Sequence, residues 1–310
     1  MTDLAERLVP VIAGAAMRTR PLVVGLTGPQ GSGKSTLTAK LAERLAARGL
    51  RTAILALDDL YLTRAERLRL AAEVHPLFAT RGVPGTHDVA LGLAVLASLS
   101  ASRETLVPSF DKGADDRRPP DAWTRVEGPV DVILFEGWCV GARPQPAQDL
   151  AEPINDLERD RDPAGVWRRA VNDALAGPYQ TLFAPIGLRI LLLAPSFDAV
   201  LGWRLQQEHE LRALRGDVGQ SDAEIAVFIQ HYERLTRHIA AEMPARADIV
   251  VRLGPDRVVR DLYSTIDEEM MLFSWPRKLN APDGISWVMK TTERSSPAST
   301  QKMVEAAPPQ

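Results

Sequence analysis

The sequence predicts an α/β protein built on a mostly parallel sheet with helices on both faces. Short apolar runs alternate along the chain with stretches of helical period. Parallel strands buried on both faces read as such runs, and helical crossovers join them. The first run leads directly into a glycine-rich turn and then a helix-forming segment. The 310 residues, 45% hydrophobic and 25% charged, suffice for a full core and exclude a largely disordered chain.

Residues 1–20 are expected to form an amphipathic helix with Leu4, Leu8, Val11 and Ile12 on one side. Residues 21–27 are an apolar run apt for a buried strand. Residues 34–48 read as a helix, with Leu37, Leu41 and Leu45 at i, i+4 spacing and Gly49 as its stop. A second strand covers 51–57, and Thr63-x-x-Glu66 is a capping box opening a helix toward Glu73. Residues 76–129 are rich in Pro, Gly, Asp and Arg and read as long functional loops around one short helix at 89–99. Further strands are expected at 130–135, 188–194 and 249–253, and a long charged helix at 196–215. Ser221-x-x-Glu224 opens another helix, whose Ile225, Phe228, Ile229, Tyr232, Leu235 and Ile239 form an apolar stripe. No internal repeat is present.

Composition narrows the function. A net charge of −3 and a pI near 6.0 give no global attraction to nucleic acid or an anionic membrane. The single cysteine, Cys139, excludes an intrachain disulfide framework and a Cys-rich zinc site. No apolar run reaches the ~18–20 residues needed to span a bilayer. The first twenty residues carry acids first and arginines last, the reverse of a secretory signal, so a cytoplasmic protein is expected. Of 37 basic residues only six are lysines, and before residue 263 these are Lys34, Lys40 and Lys112. Residues 263–310 shift to Met, Ser, Thr and Lys and read as a divergent, partly disordered tail behind a domain spanning 1–262.

Residues 28–35, Gly-Pro-Gln-Gly-Ser-Gly-Lys-Ser, fit G-x-x-x-x-G-K-[ST] in the strand–loop–helix context of a P-loop. Glycines let backbone N–H groups turn inward around phosphates, and the helix N-terminus adds positive potential. Lys34 would reach the β- and γ-phosphates and Ser35 would ligate Mg²⁺. The expected nucleotide-binding residues are Gly28, Pro29, Gln30, Gly31, Ser32, Gly33, Lys34, Ser35 and Thr36. Glu136 stands at the end of a buried strand, where side chains face the ligand crevice, and is expected on the Mg²⁺ side. Asp58 and Asp59 follow the second strand. Two acids beside a triphosphate repel it unless a metal or a proton transfer involves them, so a catalytic base is expected there. Lys112, in a chain that favours arginine, suits a compact point charge for an anionic group.

The P-loop, LDDLYLT, RGVPGTHD, FDK…DDR, LFEGW, EPINDLE and the WRLQQE and HYERLTRHI helices occur in order between about residues 21 and 261. Together they resemble the D-glycerate 3-kinase family, P-loop kinases related to uridine kinase, phosphoribulokinase and pantothenate kinase. The resemblance implies a P-loop NTPase fold with a five-stranded parallel sheet in the order 2-3-1-4-5 and a helical lid at about 203–220. It implies transfer of the ATP γ-phosphoryl to D-glycerate, giving 3-phosphoglycerate, with Mg²⁺ as cofactor. Carried over residue by residue, Asp58 matches the base and Glu136 the metal-side acid, while Arg204 and Arg212 lie on the lid segment. With Lys34, these arginines would carry the charge of the transferring phosphoryl. Glycerate brings a carboxylate, so a second cationic site is needed. Lys112, Arg117 and Arg81 are its candidates, with His87 and Tyr61 for the hydroxyls and Asp88 on the same side.

Other readings stay open from sequence. One is a P-loop kinase for a nucleoside, pantothenate or a sugar phosphate; another is a non-metabolic ATPase. A nucleoside pocket should need an aromatic wall, and the chain is only 5% aromatic. A GTPase should show N-K-x-D, and none occurs. Oligomeric state is not encoded in any motif found.

Overall fold

The computed structural model describes residues 2–215 and 219–264. The expectations for the tail from residue 265 onward lie outside the described residues. Six strands form the central sheet: β1 (Leu22–Thr27), β2 (Thr52–Ala56), β3 (Val132–Gly137), β4 (Ile186–Leu193), β5 (Ile249–Leu253) and β6 (Val259–Ser264). Their order is β2-β3-β1-β4-β5-β6. The first five pair in parallel, in the expected 2-3-1-4-5 arrangement. β6 pairs antiparallel with β5 and makes the sheet six-stranded, which corrects the expected five. Its sequence, VRDLYS, buries only Leu262, so it lacks the apolar run by which the other strands are legible. It also carries the sheet to Ser264, two residues beyond the expected boundary at 262.

Every residue of β1 and β3 is buried, because helices cover both sheet faces there. Leu22 pairs with Val132 and Thr27 with Gly137, while Thr27 also neighbours Leu191 of β4. The C-terminal ends of β1, β3 and β4 therefore meet at one sheet edge, where open parallel sheets bind ligands.

The helices are α1 (Thr2–Ala16), α2 (Lys34–Ala46), α3 (Arg64–Glu73), α4 (Val89–Ala101), α5 (Asp156–Arg161), α6 (Val166–Ala176), α7 (Pro178–Phe183), α8 (Phe197–Arg215) and α9 (Asp222–Glu242). Both expected capping boxes form, at Thr63–Glu66 and Ser221–Glu224. Ile225, Ile229, Tyr232, Leu235 and Ile239 bury the stripe of α9, and Leu37, Leu41 and Leu45 that of α2. Between α4 and β3 the expected loops contain two small antiparallel ribbons. One pairs Glu104–Val107 with Thr124–Glu127, the other Phe110–Asp111 with Asp116–Arg117. A buried ion pair joins α5 to α9: Arg234 donates to both oxygens of Glu158, at 2.8 and 2.6 Å. Breaking such a pair on one side typically costs about 3–5 kcal/mol, so it fixes the position of α9 firmly.

Candidate active site

Residues 28–35 connect β1 to α2 at the ligand-facing edge. Gly31 and Gly33 have φ of +73° and +84°, the left-handed region that glycine enters without strain. A Cβ on Gly31 would lie 2.7 Å from Cβ of Trp203, so α8 packs directly on the loop. Gly33 caps α2 without a side-chain hydrogen bond, which leaves the first turn to offer its N–H groups to an anion. The hydroxyl of Ser32 and Oε1 of Gln30 are buried with no protein partner. Lys34 Nζ rests on the Pro29 carbonyl at 3.3 Å. Ser35 donates its hydroxyl to Glu136 Oε1 at 2.7 Å, and Thr36 follows, exposed, in the first turn of α2.

Among the described residues, no group of three or more His, Cys, Asp or Glu side chains could hold a metal by itself. The adjacent Ser35 hydroxyl and Glu136 carboxylate are hard oxygen donors. They fit Mg²⁺, which takes one or two protein oxygens and completes its shell with water and phosphate.

Across from this loop, β2 ends in a 3₁₀ turn, Leu57–Leu60. The turn sends its two acids to different partners. Asp58 accepts from Lys112 Nζ at 2.6 Å and from the Tyr61 hydroxyl at 2.9 Å. Asp59 accepts the Phe110 N–H at 2.9 Å. Burial pushes the Asp58 carboxyl up, but Lys112, then Lys34 and Tyr61, outweigh it and bring it down to about 2. Asp59 moves the other way: burial raises it, and the nearby Asp58 and Glu136 charges add to that. Lys112 is raised, chiefly by Asp58.

The 81–88 loop packs against this turn. Tyr61 bridges to His87 in antiparallel fashion, and their rings stack 4.6 Å apart. Phe110 packs edge-on to Tyr61 at 5.2 Å. Tyr179 OH accepts from the N–H groups of Gly85 and His87 and lies 2.6 Å from His87 Nδ1. With both acceptor positions used, the phenol donates to Nδ1, so the neutral imidazole carries its proton on Nε2. That Nε2 is buried without a protein partner. Burial lowers His87 to about 3, so the ring is neutral at pH 7.

Other candidates have partners within the fold. Asp88 caps α4 by accepting the Leu91 N–H and takes Arg117 Nη1 on its other oxygen at 3.2 Å. Arg117 also donates from Nε and Nη2 to the Tyr61 carbonyl. Arg81 pairs with Asp115 and lies over the Phe110 ring at 5.6 Å. On α8, Arg204 pairs with Glu208 at 2.8 Å, and Arg212 donates to the Gln220 carbonyl and to Asp222 at 2.6 and 2.8 Å. The structure thus brings Lys34, Ser35, Glu136, Asp58, Tyr61, His87 and Lys112 toward one edge. Asp88 and Arg117 stand behind them as supports, and the two lid arginines stay on their own helical segment.

Residues 2–61, from α1 to the turn after β2, match the family described as methylmalonyl Co-A mutase-associated GTPase MeaB. Longer matches are to kinases. The chain is 36% identical over 223 residues to "Uncharacterized kinase mug58" of Schizosaccharomyces pombe, covering 69% of this chain and 79% of that protein. It is 34% identical over 264 residues to the chloroplastic D-glycerate 3-kinase of Arabidopsis thaliana, covering 80% of this chain and 53% of the plant protein. The solved structure of D-glycerate 3-kinase from Cryptococcus neoformans superposes with a TM-score of 0.70 at 27% identity, over 84% of this chain and 99% of that one. The chain belongs to the D-glycerate 3-kinase family. This kinase is a phosphotransferase with an alcohol group as acceptor, built on the P-loop kinase fold. It uses a nucleotide and a small-molecule substrate. The match spans about half the length of the Arabidopsis relative. Among the described residues, no helix is long and apolar enough to cross a membrane.

Several residues of the kinase site escape a reading of the sequence. Arg67 of α3 is fully buried and donates to the carbonyls of Ala79 and Asp115 at 2.8 and 2.7 Å, anchoring the Phe110–Arg117 ribbon. Tyr232 of α9 donates to the Arg81 carbonyl at 2.9 Å, and Trp138 Nε1 to that of Gly82 at 2.8 Å. A Cβ on Gly82 would fall 2.0 Å from the Tyr232 hydroxyl, so only glycine fits there. Three of the four tyrosines thus gather at the site, although the chain is 5% aromatic. A cavity of about 340 Å³ opens on the other side of Gly28 and Pro29, lined by Leu191–Pro195 and parts of α8 and α9; Lys34, Asp58 and Glu136 do not line it.

Proposed function

We propose that the kinase transfers the γ-phosphoryl of ATP to D-glycerate, giving 3-phosphoglycerate, in the cytoplasm. The observation that carries this reading is the Asp58 carboxylate held between the Tyr61 hydroxyl and the Lys112 ammonium at the sheet edge that also bears the P-loop. It combines a proton acceptor for an alcohol with a cation for an acidic acceptor. A nucleoside acceptor is less well supported, because His87 stacks on Tyr61 and Phe110 packs edge-on to it.

In this reading the P-loop N–H groups and Lys34 bind the triphosphate. Ser35 and Glu136 would hold Mg²⁺, which would supply charge neutralisation on the phosphate oxygens. Asp58 orients the acceptor hydroxyl and takes its proton late, since the hydroxyl in a loose transition state needs positioning more than a strong base. Tyr61 fixes the carboxylate, and the buried His87 Nε2–H offers a donor to an acceptor hydroxyl. Lys112 and Arg81 present positive charge to the acceptor carboxylate. Arg204 and Arg212 are assigned to the lid, where they would add charge to the transferring phosphoryl and exclude water.

The test is an acceptor screen with ATP and Mg²⁺, followed by phosphorus NMR of the product. D-Glycerate should stimulate ADP release strongly and yield the 3-phosphate. Stimulation by uridine or pantothenate but not glycerate would leave the kinase assignment standing and remove this substrate.

A further inference from the structure

Asp58 does not stand free at the site. Its Oδ2 is bound by Lys112 at 2.6 Å and its Oδ1 by Tyr61 at 2.9 Å. A charge-assisted bond this short occupies one lone pair of Oδ2 and lowers the affinity of the whole carboxylate for a proton. Lys112 and Asp58 meet across 54 positions of sequence, from a ribbon and a strand end, so no local turn forces the pairing.

Lys112 is anchored at its root and solvent-exposed along its side chain. The ribbon around it is fixed by Asp59 on the Phe110 N–H, by Asp111 on the N–H groups of Gly113 and Ala114, and by Arg67 on Asp115. Its side chain is 62% exposed, and Asp58 is the partner of its ammonium. A lysine has three rotatable donors on a flexible stem, so it can pass from one carboxylate to another without moving the backbone. An arginine fork would lock on bidentately instead.

We propose that Lys112 is an acceptor-responsive latch: it masks Asp58 in the free enzyme, and the carboxylate of an acidic acceptor draws it away, unmasking the base for that acceptor's hydroxyl. The inference rests on the kinase reading but not on glycerate as the particular acid. It makes Lys112 a specificity-determining residue. Acidic alcohols release the latch, neutral alcohols and water do not. In the released state the hydroxyl oxygen forms the bond to the γ-phosphorus. The β–γ bridging P–O bond breaks with its electron pair leaving on ADP, and the hydroxyl proton passes to Asp58 and then to solvent.

Charged and titratable groups near Asp58 come from every element around it. Lys112 comes from the ribbon, Lys34 from α2, Tyr61 and Asp59 from the turn after β2, His87 from the 81–88 loop, Cys139 from the segment after β3, and Tyr232 from α9. Lys34 is committed to the P-loop, which leaves Lys112 as the cation able to leave. Burial alone would raise Asp58, so removing the Lys112 charge should make it a stronger base.

The experiment compares wild type with Lys112→Met, a change at an exposed position that keeps the ribbon's other bonds. Rates are measured with D-glycerate, with glycerol as the same skeleton lacking the carboxylate, and with ATP alone. Wild type should prefer glycerate strongly and hydrolyse ATP slowly without an acceptor. In Lys112→Met the ratio of kcat/KM between glycerate and glycerol should fall at least about 30-fold, as expected for losing a close charge pair. ATP hydrolysis without acceptor should rise, and activity with glycerol should gain an acid limb at higher pH than in wild type. Lost selectivity with unchanged hydrolysis and an unchanged pH profile would make Lys112 a plain anchor and overturn the latch. Retained selectivity would overturn it too. If a different acid, such as pantothenate, is the acceptor and the variant still behaves as described against its neutral analogue, the latch stands and the glycerate reading falls. If only neutral acceptors are used, both fall.

Discussion

At the scale of single residues, two neighbours in the chain take opposite roles. Asp58 faces Lys112 and Tyr61, whereas Asp59 accepts the Phe110 N–H. Successive side chains of a 3₁₀ turn, with three residues per turn, point in different directions, which is why one can serve chemistry while the other holds a loop. Asp58→Asn should therefore lower kcat at least about 100-fold while ATP binding, measured by calorimetry, is retained. Asp59→Asn should cost much less, because the amide oxygen still accepts the Phe110 N–H. The reverse ranking would move the base to Asp59 and leave Asp58 as a turn or metal residue. The low position of Asp58, about 2, fits a carboxylate selected for orientation. It stays ionised throughout the working range, so its own titration should set no acid limb near neutral pH in wild type.

At the scale of elements, the acceptor side depends on a ribbon of eight residues too short to hold itself. Arg67 reaches from α3 to the Leu62, Ala79 and Asp115 carbonyls and pairs with Asp115 Oδ2 at 2.9 Å. Removing it strands three carbonyls and leaves Asp115 with Arg81 alone. Arg67→Met should destabilise the protein by about 1–3 kcal/mol for each carbonyl it leaves unsatisfied. It should also raise KM for the acceptor more than KM for ATP. A urea midpoint that falls with an unchanged acceptor KM would show that the ribbon is placed by other means. None of this is legible locally. Arg64, Arg67 and Arg69 look alike on a polar helix, and the decisive partners lie 12 and 48 residues away. Two-residue strands have no period to read, and β6 buries one residue. By contrast, the P-loop, both capping boxes and the apolar stripes of α2 and α9 are local patterns, and those appear in the structure where the sequence puts them. The low aromatic content misleads for a related reason: composition averages over a chain that concentrates its tyrosines at one edge.

At the scale of the whole molecule, parallel strand order gathers residues 28–35, 58–61 and 136 at one edge, and a buried frame behind them fixes the geometry. That frame has a pH sensitivity of its own. Burial lowers His87 to about 3 and His231 to about 4, against an ordinary 6.5. Each is neutral and enclosed in the folded state, His87 against Tyr179 and Tyr61, and His231 edge-on to Trp167. In the unfolded chain both recover ordinary basicity, so between pH 6.5 and about 3–4 the unfolded state binds more protons. Their contribution to stability is therefore complete above pH 6.5 and is lost as pH falls toward the folded values. Each histidine adds up to about 1.4 kcal/mol per pH unit, a steep slope against a typical total of about 5–15 kcal/mol. Asp58, lowered to about 2, takes over only below its ordinary 3.8. Asp59 and Asp248, both raised mainly by burial, act in the opposite sense at the acid end and soften the fall. The urea midpoint should accordingly hold steady above pH 6.5 and drop between pH 6.5 and 4.5. His238 is lowered by burial as well, so His231→Gln, which removes one of three such sites and lies away from Asp58 and the P-loop, should reduce the slope by roughly a third. An unchanged slope in that variant would show that the acid sensitivity arises elsewhere, in the carboxylates.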